Sequence, residues 1–207
     1  LFPYTTLFQS ASLFGNTLKT NNSIKQAVMT GILRVSKESI FSDLNNVKVY
    51  SVVDNKYDEF FGFNEQETTE LLKHYGYELT EEVKRMYDGY IFGNQEIYNP
   101  WSILNYVERG QLYPYWVNTS ADELLRQLFE GAKDETGEML EELVMGKSIK
   151  ITYNEKVTFL DLEAAKSRDA VDVIGNFLLF SGYLTKANKN GIGANDYIEL
   201  KIPNNEV

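Results

Sequence analysis

From Asn64 onward the apolar positions fall into short blocks, each opened by a capping residue and most closed by glycine. Asn64 caps a predicted helix through His74, with Glu65 and Glu67 in the first turn, where the helix dipole favours acids, and Gly76 stops it. Thr80 caps a second helix through Met86, with Val83 and Met86 spaced for burial. Two short strands, 89–92 and 96–98, flank Gly93-Asn94, a hairpin-turn pair. Asn99 and Pro100 read as the cap and first-turn residue of a helix to Val107 that stops near Gly110. Helices are expected over 120–129 and over 135–144, the latter ending at Gly146. Short strands are expected over 148–153 and 157–159. Segment 169–180 reads as a strongly apolar helix whose interior Gly175 predicts close packing. Two strands, 183–187 and 197–202, come next, joined by an Asn/Gly-rich loop over 188–195. A buried helix leading into a hairpin is the pattern of a winged-helix module.

Ahead of Asp54 the pattern differs. Residues 12–21 read as the end of a helix, and 24–30 as a short buried strand ended by Gly31. Ser36 is placed to cap a helix to Phe41, and the alternating, β-branched stretch 47–53 reads as a strand. The expected class is α+β: an α/β remnant over 11–53, then a mostly helical region with a terminal hairpin over 54–207. Residues 1–10, LFPYTTLFQS, share no period with the rest of the chain. Apart from Gln9 they match the translation of a common sequencing adapter, LFPYTTLFRS, and are expected to be adapter-derived rather than part of the fold.

Composition narrows the chemistry. Hydrophobic residues make up 43% of 207, enough for a sizeable core without staples. Cysteine is absent and histidine occurs once, at His74, which excludes disulfides, Cys-based zinc sites and His-pair catalysis. The net charge of -10 argues against a whole-surface grip on nucleic acid, although a local basic face is compatible with it. No apolar run approaches the roughly 20 residues of a membrane helix, so no membrane partner and a cytoplasmic location are expected.

Four short motifs bear on function. Gly146-Lys147-Ser148 ends like a phosphate-binding loop, but Glu141 stands where that loop needs its first glycine, so it reads as a helix stop. Glu199-Leu200-Lys201 has the E-x-K form of PD-(D/E)XK nucleases; an amphipathic edge strand with Glu199 and Lys201 outward is the plainer reading, because alternation alone predicts it. The stretch 30–46 places Thr30 at the end of a strand and Arg34 and Lys37 just beyond, where cations can meet a nucleotide phosphate; solvated charges beside a turn are the plainer reading. Tyr87-Asp88-Gly89-Tyr90, Tyr98-Asn99-Pro100-Trp101 and Trp116 interleave turn residues with large aromatics, the composition of a packing cluster or, less often, of a base-stacking surface. His74, near a helix C-terminus, reads as a surface residue.

Together, TGILRVSKESIFSDLNN, MYDGYIFGNQEIYNPWSILNY, YPYWVNTSADELL and LLFSGYLTK with YIELKIPNNEV after it are specific. They resemble the AAA-ATPase-like domain of bacterial proteins that carry a C-terminal PD-(D/E)XK nuclease-like domain, over nearly the whole chain from about Leu13. The resemblance implies ATP and Mg²⁺ as cofactors of a parent protein whose Walker A and Walker B segments this sequence lacks. No cofactor, catalytic residue or metal site is then expected in the chain alone. It also implies nucleotide-sensing roles for Thr30, Arg34 and Lys37, and structural roles for Gly31, Tyr87, Asp88, Gly89, Tyr90, Asn99, Pro100 and Trp101. The chain is expected to be the sensor and lid part of a nucleotide-dependent switch coupled to the nuclease-like domain. The alternative is a winged-helix-like module that binds DNA or protein directly, for which Lys186, Lys189 and Lys201 would supply the basic face, diluted by Asp196, Glu199 and Glu206.

Overall fold

Helix α1, Glu65–His74, starts on a capping box: the Asn64 side chain accepts from the Glu67 amide at 2.9 Å, and the Glu67 carboxylate accepts from the Asn64 amide at 3.0 Å. Two otherwise orphaned donors are thereby satisfied. Lys73 and His74 complement the dipole in the last turn, and both are exposed. Helix α2, Glu81–Tyr87, begins on Thr80, whose hydroxyl accepts from the Val83 amide, and buries Val83 and Tyr87. The computed structural model describes residues 17–18, 21–31, 48–116, 134–158, 161, 170–193 and 196–207.

Strands β1, Tyr90–Phe92, and β2, Gln95–Ile97, pair antiparallel around Gly93, which has a φ of 50°. Helix α3, Pro100–Arg109, has Asn99 as cap and Pro100 in its first turn, and Gly110 ends it in the left-handed conformation. These elements enclose a first core of Leu72, Val83, Tyr87, Tyr98, Ile103 and Tyr115.

A second core lies in the C-terminal half. Helix α4, Asp134–Val144, leads through Gly146 into β3, Ile149–Thr152. Helix α5, Ala170–Phe180, precedes β4, Thr185–Lys186, and β5, Tyr197–Lys201. The three strands form an antiparallel sheet in the order β3-β5-β4. Ile151 opposite Ile198 and Ile149 opposite Leu200 face Phe177, Leu178 and the rest of this core. Gly175 lets α5 approach closely, since a Cβ there would sit 3.0 Å from the Ile151 side chain. Buried Asn176 fastens helix to sheet: its amide donates to the Thr152 and Asp172 carbonyls and its oxygen accepts from the Asn154 amide. A buried amide is tolerated when its hydrogen-bonding capacity is used in this way.

The mixed α and β class is as the pattern predicts, and the elements from α1 through α3, α4, α5 and the terminal hairpin stand within a residue or two of their expected bounds. Several expectations fail. Residues 21–31 form no strand and are exposed throughout; a β-branched run gains its ladder only from a neighbouring strand, and among the described residues none pairs with it. Segment 48–53 likewise forms no strand: Asp54 accepts from the Ser51 amide and hydroxyl and closes a turn there. Val157 and Thr158 are not in a strand, although Val157 is fully buried. Strand β5 is the central strand of its sheet, so the E-x-K pair is not on an edge; Glu199 points to solvent and Leu200 inward, as alternation requires. The helices expected over 36–41 and 120–129 lie outside the described residues, as do residues 1–10 and most of 12–21.

Candidate functional site

Tyr87-Asp88-Gly89-Tyr90 forms the turn between α2 and β1. Asp88 closes α2, accepts from the Gly89 amide at 2.7 Å and accepts from the Tyr98 hydroxyl at 3.1 Å. Burial raises its carboxyl above the ordinary value, and those two donors offset the effect only in part. Gly89 has a φ of 112°, and a Cβ there would overlap the Pro203 carbonyl oxygen. The glycine is thus required both by its backbone conformation and by the C-terminal segment lying against it. The Tyr87 hydroxyl donates to the Tyr113 carbonyl and accepts from the Tyr113 amide, and burial pushes its pKa up to about 12. Burial also raises the hydroxyls of Tyr90 and Tyr98. These phenols stay neutral and act through hydrogen bonds.

The segment just past β5 is the ligand of this turn. The Asn205 amide donates to the Arg85 carbonyl at 3.0 Å, at the end of α2. Glu206 is only 3% exposed. Its two carboxylate oxygens share the Ser102 hydroxyl at 2.8 and 2.7 Å, and the Trp116 amide donates to it at 2.9 Å. Ser102 is in the first turn of α3, where the dipole favours an anion. Burial raises the Glu206 carboxyl above its ordinary 4.5, and the donors at Ser102, Trp116 and Tyr115 pull it back only partly.

That direction sets a pH dependence. An acid whose folded pKa is raised contributes stability that is complete below the unfolded value and is lost as pH rises through the folded value. Glu206 and Asp88 act in the same sense. Between pH 4.5 and neutrality the native chain is expected to lose thermal stability relative to Glu206→Gln; parallel melting curves for the two across this range would contradict the burial account.

A second set of contacts joins the β1-β2 hairpin to the C-terminal half. The Ile91 amide donates to the Thr185 hydroxyl at 2.8 Å, and the Tyr90 hydroxyl donates to the Gly182 carbonyl at 3.0 Å. Lys186, 1% exposed, donates from Nζ to the Gly93 carbonyl. Burial lowers its pKa and Asp58 partly restores it. Between these contacts lies a cleft of about 230 Å³ lined by Phe61, Tyr90, Phe92, Tyr98, Trp116 and Phe180, with Asn99 and Pro100 at its wall.

Of the motif residues named from sequence, Tyr87, Asp88 and Gly89 form the turn against which the segment after β5 lies, and Tyr90, Asn99 and Pro100 line the cleft. Trp101 follows Pro100 in α3 but is 55% exposed, with its indole donating to the Tyr115 carbonyl. Thr30 and Gly31 are in the exposed stretch 21–31, without the strand that would have carried them. Arg34 and Lys37 lie outside the described residues. Ser102, Lys186 and Glu206 are the residues that sequence reasoning missed. Lys186 and Glu206 read as surface charges and are both buried; no periodicity marks a charge that is to be enclosed by distant segments. Among the described residues no three acids or histidines converge as a metal site, and no helix is long and apolar enough to cross a membrane.

No protein-family model matches the chain. It is similar to an "Uncharacterized protein in vnfD 5'region" of Azotobacter chroococcum mcd 1, at 28% identity over 189 residues. The match covers 89% of this chain and 33% of that protein, so the chain spans about a third of the length of the curated relative. No solved structure matches.

Proposed function

We propose that the chain is the sensor and lid part of an AAA-like nucleotide-dependent switch whose output passes through the segment after β5 to a nuclease-like effector. The observation that carries this reading is the buried Glu206 clamp, which fixes that segment to the turn and helix formed by the shared motifs. The segments that carry the family resemblance are far apart in sequence, yet their residues touch: Gly89 against Pro203, Ser102 and Trp116 on Glu206, Tyr90 on Gly182. A nucleotide bound elsewhere in a parent protein could then be felt by the effector through a displacement of this clamp. In that parent, ATP and Mg²⁺ are the cofactors, and Arg34 and Lys37 are the cations assigned to the phosphates.

The winged-helix-like description is part of the same proposal. Its support is the succession α5, β4, β5 with β3 added beside β5. The alternative is a module that binds DNA or protein directly, and two observations weigh against its DNA form. Lys186 is buried and Lys189 is paired with Glu96. No residue of α5 is exposed, so that helix presents no face to a groove.

The test uses the full-length protein. Glu206→Ala is expected to leave ATP turnover within about twofold while abolishing the nucleotide dependence of effector activity, and Arg34→Ala is expected to lower ATP turnover by about tenfold or more. Absence of ATP binding in the full-length protein, or intact coupling in Glu206→Ala, would refute the reading.

A further inference from the structure

The loop ahead of α1 places four aromatic rings in water. Phe60 is 69% exposed and Phe61 59%, with Tyr57 and Tyr50 at 44% and 38%. Tyr50 and Tyr57 meet edge to face at 4.9 Å, and Phe60 lies 6.2 Å from Tyr57. Such a group is not a floppy tip. The Gly93 amide donates to the Val52 carbonyl, the Asn94 amide to Asp58, and Phe63 pairs with Tyr98. Gly62 packs so closely on Ile97 that a Cβ would overlap it. Tyr57 itself has a φ of 69°, in a region that costs a bulky residue strain. The fold holds these rings firmly in solvent at a cost to its own stability, and contiguous exposed aromatics of this kind mark contact surfaces.

The occupant's chemistry is indicated by what already sits there. The Lys56 ammonium lies over both ring faces, 5.3 Å from the Tyr50 centroid and 5.0 Å from that of Tyr57. Exposed Asp54 and Glu59 and half-buried Asp58 flank the rings in sequence. Phe61, next to Phe60 in the chain and exposed like it, lines the 230 Å³ aromatic cleft, so the cleft opens within one residue of the shelf.

We propose that Tyr50, Tyr57, Phe60 and Phe61 form a docking shelf for a cationic protein segment, one that lays Arg or Lys side chains on the ring faces and seats an apolar anchor in the adjoining cleft. A guanidinium or ammonium gains on the ring faces what Lys56 gains there in cis. Its charge is attracted by the flanking acids and by the chain's net -10. Nucleic acid, which could also stack on the rings, would bring its phosphates against the same acids.

The experiment is a selection of random phage-displayed peptides on the full chain, with calorimetric titration of the synthetic winners afterwards. Peptides carrying Lys or Arg around a Leu or aromatic anchor are expected, with binding weakened by about tenfold or more in Tyr57→Ser/Phe61→Ser and in Phe60→Ser. Binding is expected to be unchanged in Tyr197→Ser, a comparably exposed tyrosine remote in sequence, and to weaken with salt. Unaltered thermal melting of the shelf variants keeps loss of binding distinct from loss of fold. Acidic winners, equal binding to the shelf variants, shelf-dependent binding of oligo-dT in place of peptides, or conversion of a dimer to a monomer by the shelf variants would each overturn the proposal.

Discussion

Gly89→Ala is expected to destabilise the chain by roughly 3–5 kcal/mol, which for a marginally stable domain approaches loss of the fold. Two independent costs combine. A φ of 112° is one that alanine rarely adopts, and the new methyl group would collide with the Pro203 carbonyl oxygen, a backbone atom that cannot swing aside. Relief requires either the turn between α2 and β1 or the segment after β5 to move. Because Asn205 and Glu206 come soon after Pro203, the second route would strip the Arg85 and Ser102 contacts as well. Chemical denaturation would measure the loss, and hydrogen exchange at 204–206 would show which route is taken. A cost below about 1 kcal/mol would mean that this contact is not tight in solution.

The second large effect is expected at the clamp. Glu206→Ala takes the acceptor from the buried Ser102 hydroxyl, where an unsatisfied donor costs about 1–3 kcal/mol, and removes the carboxylate that the half-buried Trp116 amide donates to. Against that stands the removal of a carboxylate whose burial is unfavourable, so a net loss of about 2–4 kcal/mol is expected. Ser102→Ala removes only the shared hydroxyl and is expected to cost about 1–2 kcal/mol. The double variant discriminates a clamp from two unrelated losses: the two changes are expected to be non-additive by about 1 kcal/mol or more. Strict additivity in denaturant melts would show that the pair does not act as a unit.

The sequence was readable where local chemistry decides structure. Asn64 with Glu67, Asn99 with Pro100, and the glycines at 93, 110 and 146 are short-range devices whose partners lie within a few residues, and each stands where the pattern puts it. Legibility failed where the partner is remote. The runs 24–30 and 48–53 satisfy strand composition, but a strand needs a continuous ladder: 24–30 has no backbone partner among the described residues, and 48–53 has one bond, from the Gly93 amide to Val52, before the Ser51–Asp54 turn. The same limit hid the site. Asp88, Gly89 and Asn99 could be singled out from turn chemistry, whereas Glu206 looked like a solvated charge because the groups that enclose it come from α3 and the loop at Trp116, 90 to 104 residues away. Lys186, whose acceptor is the Gly93 carbonyl 93 residues earlier, was concealed for the same reason.

The separation of 104 residues between Ser102 and Glu206 also has a consequence for synthesis. A ribosome adding about 5–20 residues per second leaves α3 waiting on the order of 5–20 s before its carboxylate partner is even polymerised. For that interval the nascent helical half displays an unfilled slot beside Gly89 and an unanswered Ser102 hydroxyl, which makes it a stretch of chain that a chaperone would meet before residues 203–206 do.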